Sequence, residues 1–228
     1  MFIKHKGLAA KSAVVLFSAV LVTGCATESH RQIEPQKVET YRATYQGPRT
    51  TLVVGNFDNR SNYLQGMFSA DNNRLGNQAQ TILKTHLQQT NRFNVVDRQS
   101  MADLKQEAGL SGVKQKIQGA RYVVTGDVTE FGRKVTGDKQ LFGILGKGKT
   151  QTAYAKVSLN IVDVVTSQIV YSTQGAGEYE LSNREVIGFG GAAGYDATLN
   201  GKVLNFAIME AVNNLVTDMQ NGTWKIEQ

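Results

Sequence analysis

Cysteine is almost missing from this 228-residue chain, which has one, Cys25. With that thiol committed elsewhere, none is left for a disulfide, a metal cluster or thiol catalysis. Histidine is nearly as scarce. His5 lies in the basic lead, His30 in a polar stretch and His86 on or near the apolar face of a predicted helix. No HExxH, paired-carboxylate motif or nucleophile elbow occurs, so no enzyme mechanism can be assembled and no cofactor is expected. The two prolines, Pro35 and Pro48, both fall between Ala26 and Arg49. Long apolar runs are also missing. Ala13 to Val22, broken only by Ser18, falls short of the roughly 20 residues that a spanning helix needs.

What precedes Cys25 explains it. Lys4, Lys6 and Lys11 form a basic lead without acid, and the short apolar run ends in Val22-Thr23-Gly24-Cys25. Basic lead plus short apolar run is a secretory signal. Its end reads as a lipobox, whose cysteine is acylated and becomes the new N-terminus. The alternative is an ordinary leftover thiol. Residues 1–24 are therefore expected to be a lipoprotein signal peptide and 25–50 an acylated N-terminus and tether. The N-acyl and diacylglycerol chains on Cys25 would be the only added group, and several chains hold a membrane firmly where one does not. Ala26, rather than Asp, follows the cysteine, which favours the outer membrane, with the domain facing the periplasm.

The charge balance is weaker than it looks. The chain carries 25 basic and 19 acidic residues. Removing residues 1–24 takes away three lysines and no acid, leaving 22 against 19 and a net charge of +3. That is too little to indicate nucleic acid.

The remainder, 51–228, reads as one α/β (α+β) domain. Thr51 to Phe57 is a buried strand. Leu75, Ala79, Ile82, Leu83 and Leu87 recur at helical spacing, and Phe93 to Val96 is a short strand. Ser100 is a candidate cap for a helix reaching about Glu107, with Gly109 near its stop. Asp97-Arg98 reads as a local ion pair or turn. Ala120 to Val128 and Ala153 to Ile161 are strands, the second alternating, and Ile169 to Thr173 is its partner. Leu204, Ile208, Ala211, Val212, Leu215 and Met219 share one face of a final helix that ends at Asn221-Gly222.

Two segments do not fit that domain. The first, about 130–151, has a glycine-rich middle and a mixed face carrying Arg133 and Lys139. The second, about 174–200, alternates. Gly175, Gly177, Tyr179 and Leu181 share one side of its first arm. Phe189, Gly191, Ala193, Tyr195, Ala197 and Leu199 share one side of its second. Each arm of the second has about the 9–11 residues of a tilted membrane strand. Two hairpins cannot close a barrel, and unpaired edges are forbidden in lipid. Either these are surface hairpins of a soluble protein, or several copies pool them in a membrane, with Tyr179, Leu181, Phe189, Tyr195 and Leu199 toward lipid.

Gly143 to Thr150 matches the phosphate-loop pattern G-x-x-x-x-G-K-T. The residues after Thr150 alternate with period two, whereas a phosphate loop opens onto a helix. Nucleotide binding is therefore rejected.

The order of the blocks TLVVGNF, FNVVDR, GARYVVTGDVTEF, AKVSLNIVDVVTSQIVYS and the terminal NGTW, behind a lipobox, resembles the CsgG/HfaB family of curli-type secretion lipoproteins over roughly Thr51 to Trp224. The resemblance implies a homo-oligomeric ring in the outer membrane whose subunits each give two β-hairpins to one shared transmembrane barrel. It implies a secreted polypeptide partner, such as curli-type subunits, that passes unfolded by ungated diffusion, with room for accessory periplasmic factors. It also implies an inward loop whose Tyr, Phe and Ser are matched here by Tyr63, Phe68 and Ser69. Met67 stands where the family has Asn. Tyr63, Met67 and Phe68 would form the constriction. The rival is a non-pore periplasmic lipoprotein that binds an envelope-assembly or cell-wall synthesis partner.

Overall fold

A computed structural model describes residues 35–41, 43–63, 73–139, 147–185 and 199–225. The signal segment, Cys25, Met67, Phe68, Phe189 and Tyr195 lie outside the described residues.

Eight elements follow in chain order: β1 (Thr50–Asn59), α1 (Arg74–Gln89), β2 (Phe93–Val96), α2 (Met101–Leu110), β3 (Tyr122–Lys139), β4 (Lys147–Asp163), β5 (Ile169–Glu185) and α3 (Leu199–Gln220). They form a mixed α/β domain with one five-stranded sheet in the order β2-β1-β3-β4-β5. β1 pairs in parallel with β2 and β3, while β3–β4 and β4–β5 are antiparallel. Parallel pairing requires a crossover, which α1 and the α2 segment supply.

One sheet face carries the core. In β4 the odd residues Gln151, Ala153, Ala155, Val157, Leu159, Ile161 and Asp163 are buried, as a period of two dictates for a half-covered strand. Two irregularities keep neighbouring strands in phase with it. Between Val54 and Phe57, β1 uses three residues against two of β3, so Phe57 rather than Asn56 turns inward, over Gly126. At Thr129, β3 carries one extra residue against β4, which brings Phe131 inward beside Ala155.

Helices α1 and α3 cover this face. In α1 the stripe Leu75, Ala79, Leu83, His86 and Leu87 is buried at helical spacing. In α3 it is Val203, Leu204, Ala207, Ile208, Ala211, Val212, Leu215 and Val216. The seam between α3 and β5 is made of small residues. A Cβ added at Gly175 would lie 2.6 Å from Ala211 N, and one at Gly177 2.8 Å from Ala207 N. Gly222, with φ at 73°, takes the left-handed turn that ends α3, and Trp224 then packs on Tyr122 and Tyr171.

Several expectations need correction. The tether does not run to residue 50, because Val38 is buried and Glu39 N donates to Asn213 Oδ1 of α3 at 3.1 Å. The α2 helix ends at Leu110, three residues past Glu107 and with Gly109 near its stop as expected, and Gly112 then adopts φ of 63°. Ser100 is the N-cap residue of α2 as expected, but its hydroxyl donates to Asp97 Oδ2 and makes no cap bond. Of the two readings of Asp97-Arg98, an ion pair or a turn, the structure has the turn, with a bend at Arg98 and no pair between the two side chains among the described residues. Asp97 accepts from Ser100, Gln99 N and Lys84, which hold its carboxyl down at about 2, and Arg98 donates to Gln118 O. The first hairpin is not a separate unit, since its arms continue β3 and β4 without a break. The first arm of the second is β5, paired to β4, and Leu199 opens α3 rather than ending a strand.

Candidate functional site

The region where the two hairpins and the loop after β1 begin is the candidate site. The loop's two ends are fixed to one strand end. Asn59 Nδ2 donates to Tyr63 O at 3.1 Å, and Asn59 Oδ1 accepts from Ser61 N and Ser61 Oγ, an Asx turn that doubles the chain back. At the other end, Asn73 Oδ1 accepts from Asn59 N at 3.0 Å and caps α1 by accepting from Gly76 N at 3.2 Å. Asn73 Nδ2 donates to Phe57 O at 2.5 Å. Residues 64–72, between these two ends, lie outside the described residues.

Tyr63 stands at the root of that loop, half-buried. Its ring lies 4.7 Å from the Phe131 ring, and its hydroxyl accepts from Asn200 Nδ2 at 3.1 Å. Asn200 Oδ1 in turn accepts from Arg133 Nε at 2.9 Å. A single asparagine therefore ties the loop root (Tyr63), the first arm of hairpin one (Arg133) and the first turn of α3. Arg133, expected on the mixed face of the first hairpin, is half-buried in this knot.

Beyond the knot the strands stay paired. Among the residues whose burial is described, Phe131 and Ala153 are the last buried apolar ones toward the hairpin end, and pairing continues in unbroken register to Lys139↔Lys147 and Lys147↔Glu185. Tyr154, 40% exposed, lies on the sheet's other face with its ring over Gly132. Tyr179 has one side covered by α3: it stacks on Phe206 at 6.3 Å, with Lys202 Nζ 5.0 Å from its ring centre. The small-and-aromatic side of β5 read as a lipid-facing candidate is thus the side that α3 packs on at Gly175, Gly177 and Tyr179. Nothing in the sequence reading joined Asn200 to Tyr63. The usable signal was the pairing of two strand glycines, two residues apart, with Ala207 and Ala211, four apart on α3.

Lys149 and Thr150, the end of the phosphate-loop match, lie within β4 and not at a helix start. His86 is buried as expected, with Nε2 2.9 Å from Asn205 Oδ1, and burial holds its pKa below the ordinary value. Among the described residues no group of three or more His, Cys, Asp or Glu converges as for a metal, and no helix is long and apolar enough to cross a membrane.

The fold and the site define a mixed α/β domain whose three longest strands stay paired beyond Phe131 and Ala153. The family described as curli production assembly/transport component CsgG matches residues 37–228, and the chain belongs to it. It is 65% identical over 215 residues to a protein of Neisseria meningitidis serogroup B named as a "putative lipoprotein", covering 94% of this chain and 96% of that one. Among solved structures, the PelC dodecamer from Paraburkholderia phytofirmans matches with 15% identity and a TM-score of 0.35, covering 80% of this chain and 95% of the other. Lipoprotein GNA1162 from Neisseria meningitidis matches with 15% identity and a TM-score of 0.35, covering 75% and 99%.

Proposed function

We propose that the chain is an outer-membrane lipoprotein, held by acyl chains on Cys25, whose copies form a ring and pool their hairpin arms into one barrel that passes unfolded polypeptide. The observation that carries this reading, within a CsgG family member, is the run of β3, β4 and β5 in register past Phe131 and Ala153. Strands that leave their own core need another partner, and closure between copies removes the free edges. The loop fixed by Asn59 and Asn73 would present Phe68 and Met67 at the constriction, with Tyr63 as its anchored root. In this reading passage is diffusive, with no catalytic step, nucleotide or cofactor.

A second reading, a non-pore periplasmic lipoprotein that binds an envelope partner, is favoured by α3. It already covers Gly175, Gly177 and one side of Tyr179. Light scattering and planar-bilayer conductance of the detergent-extracted mature protein separate the two. A large ring with steady conductance that changes in Phe68→Ala supports the pore. A monomer or small oligomer without conductance removes it and leaves the anchored binding protein.

A further inference from the structure

The end of the sheet opposite the hairpin arms holds a cleft of about 690 Å³, within the range of small-ligand pockets. It opens where β1 and β3 begin and α3 ends. Its apolar and aromatic lining comes from Tyr45, Pro48, Met219 and Trp224. Its walls carry Arg49, Arg121 and Lys225, and no acidic side chain is among the lining residues. Arg121 is held in place by Asp163, with Nε and the terminal amine both 2.8 Å from Oδ2. Arg49 and Lys225 are exposed and make no ion pair among the described residues. The buried Arg92 lies 4.6 Å from the centre of the Tyr45 ring, adding positive charge behind it.

We propose that this cleft is a binding site for an acidic, partly apolar peptide segment, with Arg49, Lys225 and Arg121 receiving carboxylates and Trp224 and Tyr45 receiving the apolar side chains between them. The volume is too large for a lone phosphate-sized anion, and a wholly apolar ligand would leave the exposed Arg49 and Lys225 facing it. Cations beside aromatic faces suit a chain that alternates carboxylate and apolar groups. The position fits a role in receiving protein. β3 begins beside Arg121 and runs 18 residues, about 60 Å, to the hairpin end. In the pore reading this end faces the incoming chain, but the site itself does not depend on a pore.

Trp224 is the only tryptophan in the sequence, so its emission reports this cleft directly. The full mature lipoprotein in detergent is titrated at low salt with a short synthetic peptide alternating Glu and Leu, and with its Gln-for-Glu counterpart. The expected result is a saturable emission change with the Glu peptide. Its half-point should move about three- to tenfold upward in Arg49→Gln/Lys225→Gln, since rim charges have modest individual effects. Both substituted residues are exposed, so the fold should survive, and circular dichroism checks it. Equal binding of the Gln peptide, or no saturable change with the Glu peptide, overturns the proposal. So does an emission change with inorganic phosphate or phosphatidylglycerol vesicles that the Glu peptide does not produce. Conductance is untouched by these tests, so failure here and failure of the pore reading are separate results.

Discussion

Gly175→Ala probes the seam that joins α3 to the longest strands. The added methyl would sit 2.6 Å from Ala211 N and 3.0 Å from Ala211 Cβ, with Ala207 O also in its way. Ordinary contact begins near 3.4 Å, so α3 must retreat by about 1 Å along this line. The obstructing atoms are mostly helix backbone, which cannot rotate aside. Overpacking of this kind costs about 1–3 kcal/mol, and here the upper half of that range applies. Neither Gly175 nor Gly177 has a positive φ, so alanine is not strained by the backbone. It regains about 0.4–1 kcal/mol by restricting the unfolded chain. The net loss is therefore about 1–2.6 kcal/mol. Gly177→Ala should behave alike, with Val203 O at 2.5 Å and Ala207 N at 2.8 Å. Gly109→Ala in α2 is the control: nothing lies within 4 Å, and helix propensity predicts a gain of about 0.5–1 kcal/mol. Urea unfolding followed by Trp224 emission measures all three. If Gly175→Ala is as stable as the parent, the close-packed seam is not present in solution. Equal losses at Gly175 and Gly109 would mean that glycine is needed for reasons other than space.

Four further outcomes follow from the same contacts. Asn200→Ala removes the acceptor of Arg133 Nε and the donor to Tyr63, and should cost about 2–4 kcal/mol in urea unfolding; Asn200→Asp keeps an acceptor for both and should cost less than half of that. His86 is kept below its ordinary pKa by burial, so the unfolded chain takes up the proton first. Stability should then fall as pH drops below about 6.5, and this slope should flatten in His86→Gln. Burial, aided by its hydrogen bond to Asp218, pushes Tyr171 up to about 12; its contribution is complete below pH 10 and lost between about 10 and 12, and ultraviolet titration of Tyr171→Phe should lack this last-titrating group. Cys25→Ala should release the protein from membranes into the soluble fraction, and retention there would refute acylation as the anchor.

The period of two made the inner strands legible. Ala153, Ala155, Val157, Leu159 and Ile161 were readable as one buried face because a covered sheet leaves no other use for that pattern. The α3 stripe was readable for the analogous reason at a period of 3.6. What stayed hidden was non-local. No local signal says that β1 spends an extra residue between Val54 and Phe57 against β3, because the bulge exists only relative to its partner. The buried Val38 is preceded and followed by polar residues, so its run reads as tether until Asn213 of α3 supplies the partner for Glu39 N. Tyr63 and Asn200 are 137 positions apart, and their bond is set by topology.

The second hairpin shows how one pattern can serve two environments. Alternating small and aromatic residues suit a lipid-facing strand, where the period of two separates lipid from lumen. They equally suit a strand on which a helix lies close, because glycine lets the backbones approach and an aromatic fills the space where they diverge. Gly175 and Gly177 under α3, then Tyr179 stacked on Phe206 one step farther out, follow the second pattern. The two uses exclude each other for the same residues at the same moment. If β5 enters a membrane through this face, α3 must first separate from Tyr179, and Lys202, now over that ring, must leave with it. A barrel that instead begins beyond Tyr179 keeps the seam intact and needs no such separation. Gly177→Ala distinguishes these routes. It should assist assembly if the seam must open, and hinder it if the seam is the base on which the ring is built.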